Sequence, residues 1–355
     1  MGYAKYYLMA FGLVLLCFFS ACDKGATEKA PDVSEIELTD FSFSRFDQEV
    51  IQMDTNDIVL AYKKLSDKYP YLTDLYFKRL MAMPFENQDS FYRYVREFVA
   101  AEPIRKLQSS VDQVYANEDH IVKELKQACR YLRYYFPDKT LPSFYTFITE
   151  FGYQNIIFSD GDRDAPRDGI GIGLDFFLGE NYEYKTLDPR NPAFSDYITR
   201  AYNKDHVVKK SLEVWINDAL GNPPGKRFID QMIYNGKRLY LLNKVLPFIQ
   251  DTVIFEYTPE QLAWVEANEL EMWSFFLDNE LLYQTDQRKN IKYLNPAPHS
   301  PGMPPQAPGR TANYIGWKIV DAYMNRNKDK SLQDLIAMQD AQELMQLSKY
   351  KPRRR

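Results

Sequence analysis

The chain holds three histidines, His120, His206 and His299, and three cysteines, Cys17, Cys22 and Cys129. That inventory limits the chemistry at once. A zinc site needs its His, Cys or carboxylate ligands clustered, and no histidine here has a second one helical turn away. Each reads as a structural or exposed residue. There is no G-x-S-x-G, and no Ser, His, Asp order stands out. The acids Glu266, Glu269 and Glu271 read as a solvated helix face. Cys129, between Ala128 and Arg130 in a helical run, reads as a packing residue rather than a nucleophile. Asp160, Asp162, Asp164 and Asp168 fall at the first, third, fifth and ninth positions of a calcium loop. Its sixth position is Ala165 instead of glycine and its twelfth is Gly171 instead of glutamate, so a solvated hairpin turn is expected. The residues point to no catalytic set, no metal and no cofactor.

Gly169, Gly171 and Gly173, in DGIGIGLDFFLGENYEY (168–184), pose the remaining question. A dinucleotide fingerprint would need a glycine at Leu174 or Phe176, and no GK[ST] follows for a P-loop. Period 2 fits instead: glycines on one face of a strand, Ile170, Ile172 and Leu174 on the other. One face buries apolar side chains, and the other is backbone that a ligand or another chain can approach. The three glycines are therefore a candidate peptide-binding edge strand.

The elements around these residues are mostly helical. Amphipathic periodicity marks helices over 47–67, over 88–114 with a kink at Pro103, and over 118–136, where Ile121, Leu125, Ala128 and Leu132 share a face. LPSFYTFITEFGYQNIIF (141–158) reads as two short strands or one bent one, and SDGDRDAPRD as a turn. Helical patterns return at 205–220, 227–246, 258–280, 310–326 and 331–348, the third opening on Thr258 and Pro259. NPAPHSPGMPPQAPG (295–309) reads as a rigid, extended crossing loop. The expected fold is mainly α with a small central β-sheet, an α+β domain over 40–350. An apolar content of 45%, with 15% aromatic residues, supplies a large core, and the net charge of −5 excludes a nucleic-acid binder.

Lys5, an apolar run from Tyr7 to Phe19 and the residues Phe19-Ser20-Ala21-Cys22 give a signal-peptide pattern too short to span a bilayer. They resemble a bacterial lipobox, with Phe19 in place of the usual leucine. The expected organisation is a lipoprotein signal peptide (1–21), lipid attachment at Cys22, a flexible tether (22–39), the domain, and a basic tail KPRRR (351–355). Two acyl chains anchor stably where one does not.

Taken together, YYFPDKTLPSFYTFITEFGY (134–153), GIGLDFFLGENYEY (171–184), FIDQMIYNGKRLYLLNKVLP (228–247), YTPEQLAWVEANELEMWSFFLDNELLYQTD (257–286), PGRTANYIGWKIVDAYM (308–324) and SLQDLIAMQDAQELMQLSKYKP (331–352) resemble the gliding-motility lipoprotein B family, GldB. The resemblance implies an outer-membrane lipoprotein serving gliding motility, with motility or secretion proteins of the envelope as partners. The family is in turn distantly similar to zincin metallopeptidases. That similarity implies a zincin-like fold with an HExxH helix and a following Glu-Gly pair. Here the helix 205–220 carries KKSLEVW, and the pair is Asn235-Gly236. The expectation is a retained scaffold without metal or catalysis: a non-catalytic binding or scaffold lipoprotein. A divergent metallopeptidase-like hydrolase and a small-ligand-binding lipoprotein are the alternatives.

Overall fold

In the computed structural model residues 30–352 are described. The expected leader, Cys22 and most of the tether lie outside them, as do the three terminal arginines. The chain divides into two units, Met1–Asp32 and Val33–Arg355. The elements below all belong to the second, which is mainly helical around a small mixed sheet.

The sheet is built from β1 (Ser42–Ser44), β2 (Ser143–Phe147), β3 (Asn155–Ser159) and β4 (Asp168–Gly173), in the order β1-β2-β4-β3. β1 and β4 both run parallel to β2, while β3 and β4 form an antiparallel hairpin. Strand alternation sends Phe144, Ile170 and Ile172 into the large core and Tyr145, Phe147, Ile156 and Phe158 into a second, aromatic one. The sheet is thus a wall between two cores. This explains why every residue of β2 is buried, Ser143 and Thr146 included: a strand covered on both faces has no solvent side.

The glycine strand is not an edge. β4 lies between β2 and β3, so its backbone groups are already in ladders. Its glycine face is covered as well. A Cβ at Gly169 would overlap the Phe158 ring, one at Gly171 would meet Phe147 and Ile156, and one at Gly173 would strike the Tyr153 carbonyl. The glycines are there because the protein's own rings and backbone occupy that face. The expected strand-addition site is therefore corrected.

Several periodic runs read as single helices are interrupted. The run 47–67 divides into α1 (Phe46–Ile51) and α2 (Ile58–Lys68), where the Asp57 side chain accepts from the Leu60 amide at 3.2 Å. The run 88–114 breaks rather than kinks, into α3 (Gln88–Ala100) and α4 (Glu102–Val114), with Ala101 extended between them. Proline fits a first turn, where its missing N–H is no loss, but not an interior turn. α5 (Asp119–Tyr135) buries the four residues expected on its inner face. The polar hub Asp47 accepts from Arg45 Nη2 at 2.7 Å, from Gln108 Nε2 at 2.7 Å and from Thr146 Oγ1, tying α1 to α4 and β2.

The second half packs α6 (Lys204–Leu220), α7 (Phe228–Val245), the short α8 (Asp251–Phe255), α9 (Pro259–Ala267), α10 (Glu269–Asp278), α11 (Gln287–Leu294), α12 (Thr311–Arg326), α13 (Leu332–Ala337) and α14 (Ala341–Ser348). Thr258 and Gln261 form the capping box that opens α9. α7 and α12 cross backbone to backbone. A Cβ at Gly236 would overlap the Gly316 carbonyl, and one at Gly316 the Met232 carbonyl. The proline loop is folded back on itself rather than extended: the Ser300 amide donates to Ala307 at 3.0 Å and its hydroxyl to Pro308 at 2.7 Å. Among the described residues no helix is long and apolar enough to cross a membrane.

Candidate functional site

α6, α7, α8 and α12 converge on a buried cluster of ionised side chains. α6 supplies Lys209, Lys210 and Glu213; α7 supplies Arg238; Glu256 closes α8, and Arg310 precedes α12. Glu256 and Arg310 both take left-handed backbone conformations, with φ of 53° and 62°. Such geometry costs of order 1–3 kcal/mol in a residue other than glycine and persists only where its surroundings impose it.

Glu256, 7% exposed, is the centre. Its Oε1 lies 2.5 Å from Lys209 Nζ and 2.6 Å from Lys210 Nζ, and its Oε2 2.9 Å from Arg310 Nη1. Lys209, 1% exposed, also reaches Glu213 Oε2 at 2.7 Å. Arg238 Nε stands 3.4 Å from the other Glu213 oxygen. Arg200 Nη2 donates to the Glu256 carbonyl at 2.8 Å. Burial opposes ionisation of both carboxyls. The neighbouring cations outweigh it and hold Glu213 and Glu256 below the usual carboxylate range. Burial pulls Lys209 down despite its two carboxylates, whereas those same carboxylates raise Lys210. His206, one turn earlier on α6, is lowered to about 4, by burial first and then by Lys209, Lys210 and Arg200, with Glu256 opposing. It is a neutral imidazole at pH 7.

Lys209, Lys210 and Glu213 stand at the first, second and fifth positions of the window where HExxH was expected by analogy. An ammonium bridging two carboxylates therefore occupies the turn in which two histidines would hold zinc. Lysines at this turn repel a divalent ion, and both carboxylates are engaged by cations, so neither is a free general base. Asn235 does not compensate: its Nδ2 donates to Asn313 Oδ1 at 3.0 Å, linking α7 to α12. Among the described residues no three His, Cys, Asp or Glu side chains could hold a metal ion.

The structure does not gather the residues singled out in the sequence. His120 is exposed beside Glu124 and His299 is exposed in the proline loop. Asp160 and Asp162 accept from Tyr145 and Tyr71 at the β3–β4 turn. Cys129 is fully buried, and burial pushes its thiol up to about 12, which leaves it inert. Cys22 lies outside the described residues.

Sequence reading missed Glu256 and Arg310. Both sit at helix ends, and their meeting with α6 depends on tertiary packing. It missed a second feature too, a cleft of about 640 Å³ with Phe151, Tyr182 and Phe194 in its lining and Lys106 and Glu150 beside them. Glu150 and Phe151 are consecutive left-handed residues, with φ of 51° and 64°. Asp175 Oδ2 accepts from the amides of Thr149 and Phe151, at 2.9 and 2.8 Å, and so fixes that loop. Its Oδ1 is buried and without a hydrogen-bond partner among the described residues. Burial raises the Asp175 carboxyl to about 6, against the pull of its backbone donors.

The family model described as gliding motility protein GldB matches residues 26–352. No curated protein and no solved structure matches the chain. The chain belongs to the GldB family of gliding motility proteins.

Proposed function

We propose that this GldB family member is a non-catalytic binding or scaffold component of the cell envelope, serving gliding motility or the surface protein export associated with it. In this reading it is lipid-anchored at Cys22 in the outer membrane and engages envelope motility or secretion proteins. One observation carries the non-catalytic part. The helix turn that would bear catalytic groups holds Lys209 clamped between Glu213 and Glu256. A clamped ammonium next to Lys210 and Arg310 neither holds a metal nor activates water. The cleft beside Phe151 supports a binding role, because its wall is a strained loop fixed by a buried carboxylate.

The test is the metal content and peptidase activity of purified full-length protein in detergent. The expected result is zinc far below one per chain after chelation and no hydrolysis of a mixed peptide library. Near-stoichiometric zinc surviving chelation, or turnover abolished by Glu213→Gln, would establish a divergent hydrolase instead.

A further inference from the structure

The charge centre is not neutral. Five cationic side chains, Arg200, Lys209, Lys210, Arg238 and Arg310, meet two carboxylates, Glu213 and Glu256. Arg200 and Arg310 also reach the Glu256 carbonyl, but a carbonyl is a dipole and neutralises no charge. Three positive charges are left over on side chains that keep only a minor part of their surface open to solvent. Buried charge without a counter-charge is strongly unfavourable, so a surplus of this size calls for an anion.

The surplus is also placed to receive one. Lys209 is 1% exposed and is consumed internally. The side chains of Lys210, Arg238 and Arg310 keep 20, 21 and 15% of their surface open to solvent. One buried donor among them, Arg238 Nε, lacks an acceptor among the described residues. For Arg238 the nearest carboxylate is Glu213 at 3.4 Å, outside hydrogen-bonding geometry.

We propose that Lys210, Arg238 and Arg310, backed by Arg200, form a binding site for an oxyanion of the phosphate class. The charge decides the class. A carboxylate would leave two positive charges uncompensated, whereas a phosphate monoester or inorganic phosphate brings nearly two negative charges and several acceptor oxygens. Guanidinium groups match such oxygens in pairs. The site is distinct from the aromatic cleft and asks for no catalytic step.

The experiment titrates full-length protein in detergent with inorganic phosphate, replacing chloride at constant ionic strength, and reads the melting temperature and the heat of binding. A saturable rise in Tm is expected. Arg238→Gln removes one donor without touching a partner of Glu256. It should weaken phosphate binding by about tenfold or more while the protein without phosphate melts as a folded chain. If Arg238→Gln does not fold, Lys210→Gln serves, since Glu256 then keeps Lys209 and Arg310. Glycerol 1-phosphate binding more tightly than inorganic phosphate would assign the group to a phosphomonoester on a larger molecule. Equal binding would assign it to phosphate itself. The proposal is overturned if phosphate gives no saturable effect beyond chloride, if acetate matches it, or if both variants bind it as tightly as the unaltered chain.

Discussion

Replacing Glu256 by glutamine keeps the shape of the charge centre and removes its central charge. Lys209 would retain only Glu213, Lys210 would have Glu213 alone at 3.7 Å, and Arg310 would be left with a carbonyl. Breaking a buried pair from one side costs about 3–5 kcal/mol, and here one carboxylate serves three cations. At about 2 °C per kcal/mol for a chain larger than typical small domains, Tm should fall by roughly 6–10 °C. The cation side behaves differently. Lys210→Met removes a member of the surplus and relieves its repulsion with Arg310, so its cost should stay below about 1 kcal/mol, the scale of a partly solvated pair. Thermal and urea unfolding of full-length protein, followed by circular dichroism, measures both. A Glu256→Gln loss under about 1 kcal/mol, or a larger loss for Lys210→Met, would refute the charge count.

Other expectations follow from single contacts. Asp175 has its folded carboxyl raised to about 6 from an ordinary 3.8, so its contribution is favourable at low pH and is lost as pH rises through that window. His206, lowered to about 4, works in the opposite sense as pH falls from 6.5. The difference between the unaltered chain and Asp175→Asn is therefore the readout: relative to the unaltered chain, the variant should gain stability between pH 4 and 6, and parallel profiles would contradict the assignment. Gly171→Val should cost at least about 1–3 kcal/mol by overpacking against Phe147 and Ile156. Unchanged urea stability would show that face to be open after all. Gly316→Ala should be worse, because the obstacle is the Met232 carbonyl rather than a movable side chain. Cys129 should resist thiol reagents until the chain unfolds, and fast labelling of the native protein would contradict its burial.

The parts of the fold that sequence reading reached are those set by local pattern. The inner face of α5 follows from periodicity, the Thr258 cap from a side-chain hydrogen bond within three residues, and the β3–β4 turn from its run of turn-forming residues. Helix boundaries inside long periodic runs did not follow. Asp57, Ala101 and Asp340 interrupt patterns whose apolar spacing continues across the break, because short polar side chains and proline restart a helix without disturbing its period; at Asn268 the side chain instead donates back to the Trp264 carbonyl of α9. Gly169, Gly171 and Gly173 show a deeper limit. Period 2 located the strand and its faces, but whether a glycine face is open or filled depends on Phe158 and Phe147 arriving from other strands. The charge centre was half legible. Lys209, Lys210 and Glu213 could be read only as departures from a metal motif, and their purpose depends on Glu256 and Arg310, which lie 43 to 101 residues further along the chain.

The scaffold reading stands or falls on a crosslinked pull-down of tagged full-length protein from membranes of the native host, with Cys22→Ala as the control. The account predicts that envelope motility or secretion components are recovered with the unaltered chain and lost with the control. Intact anchoring with nothing recovered above the control would contradict it.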